Sequence, residues 1–356
     1  MSANGAFASR ISAWQKTHGR HDLPWQRSRD PYLIWLSEIM LQQTQVATVI
    51  PYFERFIARF PDVHALAAAP IEAVMSLWAG LGYYSRARNL HRCAQQIVEA
   101  HRGEFPHSAE TLSLLPGIGR STAAAIAALA FGESAAILDG NVKRVLARHF
   151  GIEGYPGSPG VERALWQRAE SELPDDDIET YTQGLMDLGA TICVRTRPLC
   201  VACPVNNTCT ARRENKIQAL PTTRPVKPKP VKSATLLVMR DATNAFLLEP
   251  RPPTGIWGGL LSLPEFEANL SDEAIIAAIE ARYGFRVTLT ESLGTIRHEF
   301  THYTYVMQPR SAQVVGAAAV ASEALRAVAE SELPTSPLPA PIRRLLLQLC
   351  ETLLQH

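Results

Sequence analysis

Four of the chain's six cysteines lie within seventeen residues, in the spacing Cys193-x6-Cys200-x2-Cys203-x5-Cys209. Four thiolates placed so closely can converge on one centre. A disulfide scaffold is disfavoured in a chain of 356 residues that carries no sign of secretion. Zinc usually takes two close cysteine pairs, and here only one pair is close, whereas uneven gaps suit a [4Fe–4S] cluster. The spacing leaves both metals open and favours the cluster.

Composition excludes several classes of protein. Hydrophobic residues make up 46% and charged residues 19% of the chain, which is typical of a globular protein. With 35 basic and 34 acidic side chains the net charge is +1, so overall charge neither demands nor excludes nucleic acid. The longest apolar run, Ala123–Phe131, is far shorter than the ~20 residues that cross a bilayer. The N-terminus lacks a basic start and a long apolar stretch, so we expect a cytoplasmic protein with no membrane partner.

The chain divides into three parts by local pattern. Residues 1–215 are rich in Ala, Leu and Ile and are predicted to be mostly helical. Residues 216–233 hold four prolines, five basic residues and no acid, which predicts a stiff, solvated linker that could equally lie along a polyanion. Residues 234–356 are predicted to form a small α+β domain. Its expected elements are strands at Ala234–Val238, Ala245–Leu248, Val287–Leu289 and His298–Met307, and a helix at Ser271–Tyr283.

Several residues mark helix ends in the first part. Asp30 precedes a proline and is expected to cap the helix that follows, as is Ser108 in the next clear helix. Gly132 is placed to close the helix over Ser121–Phe131. These signals support a helical architecture with short connections.

The segment Leu114–Arg120 reads LLPGIGR and lies between two predicted helices. Gly117 and Gly119 allow a tight turn whose amides point outward at a helix N-terminus. Such amides bind a phosphate oxygen without reading base sequence. An ordinary turn between two helices is the alternative.

Two acidic residues stand in distinctive strings but are unremarkable locally. Asp139, in ILDGNVKR, has the pattern of a turn and helix N-cap. Glu38, in WLSEIMLQQTQ, shares one helical face with Leu41. In isolation, a capping aspartate and a surface glutamate are the favoured interpretations.

Five strings occur in a fixed order: WLSEIMLQQTQV, GLGYYSRARNL, LPGIGRSTAAAI, ILDGNVKRVLAR and MDLGATIC. With the cysteine spacing, they closely resemble the adenine DNA glycosylases of the MutY type, within the endonuclease III superfamily. The resemblance implies a mainly α helix–hairpin–helix glycosylase with an iron–sulfur cluster loop, followed by an α+β Nudix-like domain. It implies a [4Fe–4S] cluster on the four cysteines. The implied partner of this monomer is double-stranded DNA with A:8-oxoguanine or A:G mispairs.

The resemblance assigns roles to four residues. It implies that Glu38 protonates adenine N7 and that Asp139 stabilises the oxocarbenium-like sugar, with Asn141 and Ser121 orienting groups around them. Members of the superfamily that cut the strand carry a lysine nucleophile where this chain has Ser121. A hydroxyl cannot form a Schiff base, so the sequence predicts a monofunctional enzyme that flips and excises adenine in base excision repair.

Further residues are assigned by matching positions. The adenine pocket is expected from Trp25, Leu41, Gln183 and Asp187, although Asp187 could instead cap a helix or form a salt bridge. Gln43, Leu81 and Tyr83 are expected to form the wedge, which fills the space that the flipped adenine leaves in the base stack of the duplex. Contacts to the DNA backbone are expected from Gly117, Gly119 and Arg120.

The C-terminal part resembles a Nudix-like domain through Arg251–Leu260, RPPTGIWGGL. In Nudix hydrolases, glutamates on a helix bind magnesium, but here alanines and an arginine precede Gly284. Without these oxygen ligands we expect pyrophosphohydrolysis to be lost. Phe300, Thr301 and His302 match the family's 8-oxoguanine recognition loop, often Phe-Ser-His, with a methyl group added at Thr301.

Three other functions compete with this one. A bifunctional pyrimidine-lesion glycosylase is opposed by Ser121 and by the extra domain. A non-catalytic iron–sulfur DNA-binding protein would not need both Glu38 and Asp139. A Nudix hydrolase is opposed by the missing carboxylates.

Overall fold

The computed structural model describes residues 3–224, 228–252, 255–315 and 324–353. The chain forms two compact units, one of residues 1–69 and 88–226 and the other of residues 70–87 and 227–356. Residues 70–87 therefore pack with the C-terminal part, although the sequence suggested one helical domain over 1–215. Across the described residues, no helix is both long enough and apolar enough to span a membrane.

The first unit is built from helices and their connections, as predicted. Helix α5 and the first residues of α6 belong to the second unit. In chain order, the helices of the N-terminal two thirds are α1 (Ala3–His18), α2 (Pro31–Leu41), α3 (Val46–Arg59), α4 (Val63–Ala68), α5 (Ile71–Trp78), α6 (Ser85–His101), α7 (Ala109–Leu112), α8 (Arg120–Phe131), α9 (Gly140–Phe150), α10 (Pro159–Ser171), α11 (Ile178–Asp187) and α12 (Thr210–Arg213).

The predicted helix ends are confirmed. Asp30 accepts a hydrogen bond from the Tyr32 amide at the start of α2, and Ser108 accepts one from Thr111 at the start of α7. Gly132 ends α8 in the left-handed conformation, with a φ of 71°. Each signal acts within one turn of its own helix, so distant contacts do not override it.

Helices α2 and α8 cross the interior of the first unit. Six consecutive residues of α8, Ala123–Ala128, are buried, five of them alanines whose small side chains let neighbouring helices approach closely. Most of α2 is buried too, and Gln42 after its end donates to the Thr122 hydroxyl of α8. This packing fixes the face of α2 that carries Glu38.

The linker begins later than the sequence suggested. Residues 216–220 pack against the first unit, because the Arg148 guanidinium donates to the Ile217 and Leu220 carbonyls, at 3.1 and 2.8 Å. Leu220 is only 3% exposed. The prediction of a solvated linker from residue 216 was wrong for these five residues, and residues 225–227 lie outside the described part.

The second unit carries a mixed sheet with strand order β3-β2-β1-β7-β5, to which β4, β6 and β8 are paired at β1, β7 and β2. Strands β1 and β7 are parallel and the other pairs antiparallel. The elements are β1 (Val231–Arg240), β2 (Phe246–Pro250), β3 (Leu261–Ser262), β4 (Glu265–Glu267), α13 (Asp272–Tyr283), β5 (Arg286–Ser292), β6 (Ile296–Glu299), β7 (Thr304–Val315), β8 (Arg326–Val328) and α14 (Ala340–Leu353).

One predicted strand is in fact a hairpin. The sequence suggested a continuous strand over His298–Met307, but β6 ends at Glu299 and β7 begins at Thr304. Between them the Phe300 amide donates to the Tyr303 carbonyl at 2.9 Å, which closes a tight turn. The α+β class is confirmed, with Ile275, Ile279 and Tyr283 of α13 packed into the core of the unit.

Candidate active site

Glu38 lies on α2 at a half-buried position between two cavities of the first unit. One cavity has a volume of about 380 Å³ and the other about 860 Å³. Leu41, one turn further along α2, lines both, as the shared helical face predicted.

Asp139 is the N-cap of α9, and its Oδ1 accepts a hydrogen bond from the Val142 amide at 2.7 Å. The capping role inferred from the local sequence is therefore correct. The same carboxylate lies in the wall of the larger cavity, so capping and a place in the site coexist. The structure brings all four expected catalytic residues to this cavity: Glu38, Ser121, Asp139 and Asn141.

Burial raises the pKa of Glu38 to about 7, and the negative charge of Asp139 raises it further in the same direction. A carboxyl group with this pKa is partly protonated at neutral pH. Glu38 can therefore donate a proton to a molecule in either cavity.

Asp139 has a different environment. Its side chain is exposed at the wall of the larger cavity, although protein atoms surround it on most sides. Desolvation is the largest effect and raises the pKa of Asp139 above its usual value, while the Val142 and Asn141 amides and the cationic Arg144 and Lys143 offset part of that rise. Asp139 has amide donors and cations that stabilise its charged form, whereas the charge next to Glu38 is the negative charge of Asp139.

Ser121 and Asn141 are held by defined partners. The Ser121 hydroxyl accepts a hydrogen bond from the Leu138 amide at 2.9 Å, which fixes the residue before Asp139. Asn141 Oδ1 accepts one from Arg144 at 2.7 Å, and the same guanidinium donates to the Cys193 carbonyl at 2.6 Å. The cavity wall and the first cysteine of the cluster loop thus share one arginine.

Trp25, Leu41 and Gln183 line the smaller cavity, as the sequence suggested. The Gln183 amide nitrogen donates to Asp187 Oδ1 at 2.9 Å. Gln183 still has its oxygen as an acceptor and its second N–H as a donor for a bound molecule.

Asp187 is not part of the cavity lining, contrary to the expectation. Its side chain is fully buried and binds Arg20 through the arginine's backbone amide at 2.8 Å and its guanidinium at 2.6 Å. Asp187 therefore lies in the layer beneath the cavity wall and fixes the orientation of Arg20 and Gln183, which line the cavity. Arg20 itself lines both cavities and was missed by the sequence analysis, because a lone arginine before Leu23-Pro24 carries no pattern.

The three expected wedge residues differ in exposure. Tyr83 is 48% exposed and Gln43 is exposed, and both have left-handed backbone, with φ of 50° and 57°. Non-glycine residues in this region are strained, and such strain concentrates at functional sites. Leu81 is only 6% exposed, so it lies beneath the exposed Tyr83, and its place in the wedge stays a prediction. Gln43 lines the larger cavity.

The glycine turn has the expected shape. Gly117 has a φ of 80°, and a Cβ there would lie 2.7 Å from the Cβ of Asn89, so only glycine fits. Gly119 is the N-cap of α8 and lies open to solvent. The Arg120 guanidinium lies 3.9 Å from the Trp166 ring and forms an exposed ion pair with Glu170, and its contact with the DNA backbone stays a prediction.

All four cysteines of the quartet line one small cavity, beside the buried guanidinium of Arg148. They form no disulfide. Arg148 donates to the Val194 carbonyl at 2.8 Å and lies 3.5 Å from Cys193 Sγ. Within the described ranges, no three cysteine, histidine or acidic side chains are arranged to hold a single metal ion.

Thr301 and His302 are exposed at the turn between β6 and β7, and Phe300 is half-buried beside them. The Phe300 ring lies 5.5 Å from that of Trp257. Its carbonyl accepts a hydrogen bond from Lys229 Nζ at 2.8 Å. The tip is therefore a supported hairpin turn and not the strand end that the local sequence favoured.

The helix that would carry Nudix carboxylates is α13. Arg282 pairs there with Glu249 of β2 at 2.5 Å. A cation thus occupies a position where a Nudix hydrolase has an acidic ligand, in agreement with the expected loss of magnesium binding.

Comparison with known proteins identifies the family. Residues 36–171 match the HhH-GPD superfamily of base excision DNA repair proteins, and residues 235–348 match the NUDIX domain. The adenine DNA glycosylase of Buchnera aphidicola subsp. Acyrthosiphon pisum is 38% identical over 303 residues, which cover 85% of each chain. The chain belongs to the adenine DNA glycosylase family. The human family member is 46% identical over 217 residues, 58% of this chain and 40% of the human one.

Solved structures agree with this placement. A thermostable thymine-DNA glycosylase is similar with a TM-score of 0.54 at 31% identity, covering 59% of this chain and 97% of that one. Membership of the adenine DNA glycosylase family makes the chain an N-glycosyl hydrolase of base excision repair, with DNA as its partner. It also confirms the helix–hairpin–helix and Nudix-like architecture.

Proposed function

We propose that the chain flips adenine out of A:8-oxoguanine and A:G mispairs and cleaves its N-glycosyl bond without cutting the strand. The observation that carries this proposal is the pair Glu38 and Asp139 on one cavity of about 860 Å³. Their environments differ. Burial and the charge of Asp139 raise the pKa of Glu38 to about 7, so that it is partly protonated at neutral pH, whereas amide donors and two cations offset part of the rise that desolvation causes at Asp139.

In the proposed reaction, Glu38 donates its proton to N7 of the extruded adenine. Protonation withdraws electrons from the N-glycosyl bond, and the bond breaks with its electron pair leaving on the base. The departing adenine is neutral, because the proton balances the pair that it takes. General acid catalysis of this kind contributes about 10²–10⁴-fold to a rate.

Asp139 acts on the sugar that remains. Its charge faces the oxocarbenium-like centre that develops as the base departs. A water then adds there and gives up its proton to the Glu38 carboxylate, which returns Glu38 to its protonated form. One oxygen is fixed by the Val142 amide at 2.7 Å, which leaves the other for the sugar. Because α9 begins at this point, the carboxylate is held without adjustable side-chain freedom.

The smaller cavity supports recognition of adenine. The bond to Asp187 fixes the orientation of the Gln183 amide, whose oxygen can accept from the exocyclic amine of the base and whose second N–H can donate to a ring nitrogen. Trp25 and Leu41 supply apolar walls for the ring.

The monofunctional character rests on the lining of the larger cavity. In the described part of the chain, no lysine lines it, and Ser121 occupies the position expected for a nucleophilic amine. Lys143 is the nearby amine that affects Asp139, but its Nζ is paired with Glu162 at 2.6 Å. Schiff-base formation at the sugar therefore lacks a nucleophile.

The four cysteines fit a [4Fe–4S] cluster, because they line one cavity and their uneven spacing along the chain suits such a cluster. Cys193, Cys200, Cys203 and Cys209 would hold it, and the buried Arg148 beside them would offset the negative charge of the thiolates. The cluster would stabilise this loop. Iron and sulfide analysis of anaerobically purified protein is expected to give four of each per chain, and stoichiometric zinc instead would contradict the assignment.

The exposed turn at Thr301 and His302 supports recognition of 8-oxoguanine, and we propose it as the part that distinguishes this base from guanine. We further propose that the protein acts as a monomer in the cytoplasm. Size-exclusion chromatography with light scattering tests the oligomeric state.

A duplex panel tests the main proposal. The full chain is incubated with adenine opposite 8-oxoguanine, guanine or thymine and with a duplex that carries an oxidised pyrimidine, with alkali added or withheld. Adenine release opposite 8-oxoguanine and guanine is expected, with strand breaks after alkali only. Breaks without alkali, trapped by borohydride, would contradict the monofunctional assignment, and absence of adenine release would overturn the proposal.

A matched pair of variants then tests Asp139. Asp139→Asn removes the charge but keeps a good N-cap, so adenine release is expected to fall by at least ~10³-fold while folding and duplex binding persist. Asp62→Asn makes the same change at the cap of α4, where the side chain accepts from Ala65 at 2.8 Å, and is expected to leave the rate unchanged. Equal rates for the two variants would exclude a catalytic charge at Asp139.

A further inference from the structure

The loop that ends at Tyr83 has a left-handed backbone at three positions, of which two are glycines and only Tyr83 carries a Cβ. Gly80, Gly82 and Tyr83 have positive φ values of 107°, 73° and 50°. For a residue with a Cβ this conformation costs roughly 1–2 kcal/mol. Tyr83 nevertheless keeps its ring 48% exposed instead of burying it. Other contacts must therefore stabilise the loop in this shape.

Arg86, on the first turn of α6, supplies those contacts from beneath. Its side chain is buried, with only 8% of the residue exposed. Nη2 lies 3.3 Å from the Leu81 carbonyl and 3.2 Å from the Gly82 carbonyl. The Arg86 amide donates to the Tyr83 carbonyl at 2.8 Å. One residue thus contacts three consecutive carbonyls of the loop.

The guanidinium also contacts two aromatic rings. Its Cζ lies 5.3 Å from the Trp78 ring and 5.6 Å from the Tyr83 ring, both within cation–π range. The Trp78 indole nitrogen donates to the Gly82 carbonyl at 3.2 Å. The carbonyl of the residue before Tyr83 is therefore fixed by two donors, and the Tyr83 ring lies against a buried cation.

We propose that Arg86 is a positioning residue that holds the Tyr83 ring outward, preorganised to enter the base stack as adenine leaves it. This inference rests on the proposed base-flipping function. Preorganisation matters because an unsupported loop would have to be ordered during extrusion, and ordering reduces the free energy available for unstacking the base. Arg86 touches neither base nor sugar in this role and acts through Tyr83.

The test separates extrusion from chemistry. A 2-aminopurine beside the target adenine in an A:8-oxoguanine duplex reports unstacking by fluorescence, and single-turnover adenine release is measured in parallel. Arg86→Met keeps the length but removes charge and donors. Loss of one cation–π contact predicts about a 5- to 30-fold slower fluorescence rise and adenine release.

A double-mutant cycle with Tyr83→Ala decides the mechanism. If Arg86 acts through Tyr83, adding Arg86→Met to Tyr83→Ala slows release little further, and the two effects are strongly non-additive. Additive effects would overturn the inference while leaving the proposed function standing. A wild-type chain that releases no adenine would overturn both.

Two further variants separate the role of Arg86 from the loss of a positive charge on α6 and from misfolding. Arg92→Met removes the same charge from an exposed position on the same helix and is expected to match wild type in both assays. Gly82→Ala strains the loop without a clash, because a Cβ there meets nothing within 4 Å, and it leaves Arg86 intact. It is expected to reproduce the fluorescence defect even if Arg86→Met fails to fold. A Gly82→Ala enzyme with a normal fluorescence rise would contradict the need for a preorganised loop.

Discussion

Replacing Glu38 by glutamine should make the protein more stable and inactive at once. The pKa of Glu38 is raised from 4.5 to about 7, chiefly by burial and secondarily by the charge of Asp139. The folded state therefore binds the proton more tightly than the unfolded chain does. Above pH 7 the ionised side chain destabilises the fold by about 3 kcal/mol, at about 1.4 kcal/mol per unit of pKa.

The pH dependence of this effect has a definite sign. Below pH 4.5 Glu38 is protonated in both the folded and the unfolded state, so Glu38→Gln does not change the free energy of unfolding there. Between pH 4.5 and pH 7 the wild type loses stability as the unfolded chain releases its proton first. Above pH 7 the difference is constant. For a unit of this size, about 3 kcal/mol corresponds to a rise on the order of 5–10 °C in melting temperature.

The assay pairs thermal melts at pH 4.5 and pH 8 with single-turnover adenine release. The wild-type rate should fall about tenfold per pH unit above 7, to about 1% of its plateau at pH 9, because only protonated Glu38 donates. Glu54→Gln, at an exposed position on α3, is the control and should change neither property. Equal melting temperatures for wild type and Glu38→Gln at pH 8, or a rate that stays flat from pH 6 to 9, would refute the reasoning.

Two other predictions follow from local geometry. Gly117→Ala should destabilise the first unit by about 1–3 kcal/mol, because the added Cβ would lie 2.7 Å from Asn89. Gly160→Ala is the control, since its Cβ meets no atom within 4 Å and its melting temperature should equal that of the wild type. Equal melting temperatures for the two variants would contradict this prediction. Lys229→Met removes the 2.8 Å hydrogen bond to the Phe300 carbonyl. The ratio of the adenine-release rate opposite 8-oxoguanine to that opposite guanine should fall by roughly 3- to 10-fold, while the rate on the A:G duplex stays unchanged. An unaltered ratio of the two rates would exclude a role for this lysine at the tip.

The sequence predicted best those features that depend on a few neighbouring residues. Asp30, Ser108 and Asp139 each accept from an amide two or three positions ahead, so the capping pattern is readable from the chain. Gly132 ends its helix for a similarly local reason. The ordered strings brought Glu38 into the same site, although no local pattern marks it.

The features that sequence missed depend on distant partners. Asp187 lies behind the pocket because it binds Arg20, 167 residues away, and no spacing rule reports such a pair. Leu81 is buried although it lies only two residues from the exposed Tyr83. The positive φ values of Gly82 and Tyr83 turn the backbone between them, so the two side chains do not point to the same side. The turn at Phe300 contains neither glycine nor proline, so the hairpin between β6 and β7 left no ordinary turn signal.

The double use of Asp139 has a genetic consequence. Since asparagine satisfies the Val142 amide as well as aspartate does, the proposed role of Asp139 predicts that a single-base codon change here yields a chain that accumulates normally but repairs poorly. Screens that score expression or solubility would classify such an allele as harmless. If the substrate is the proposed A:8-oxoguanine mispair, the defect would emerge only over generations, as a rising frequency of G-to-T transversions.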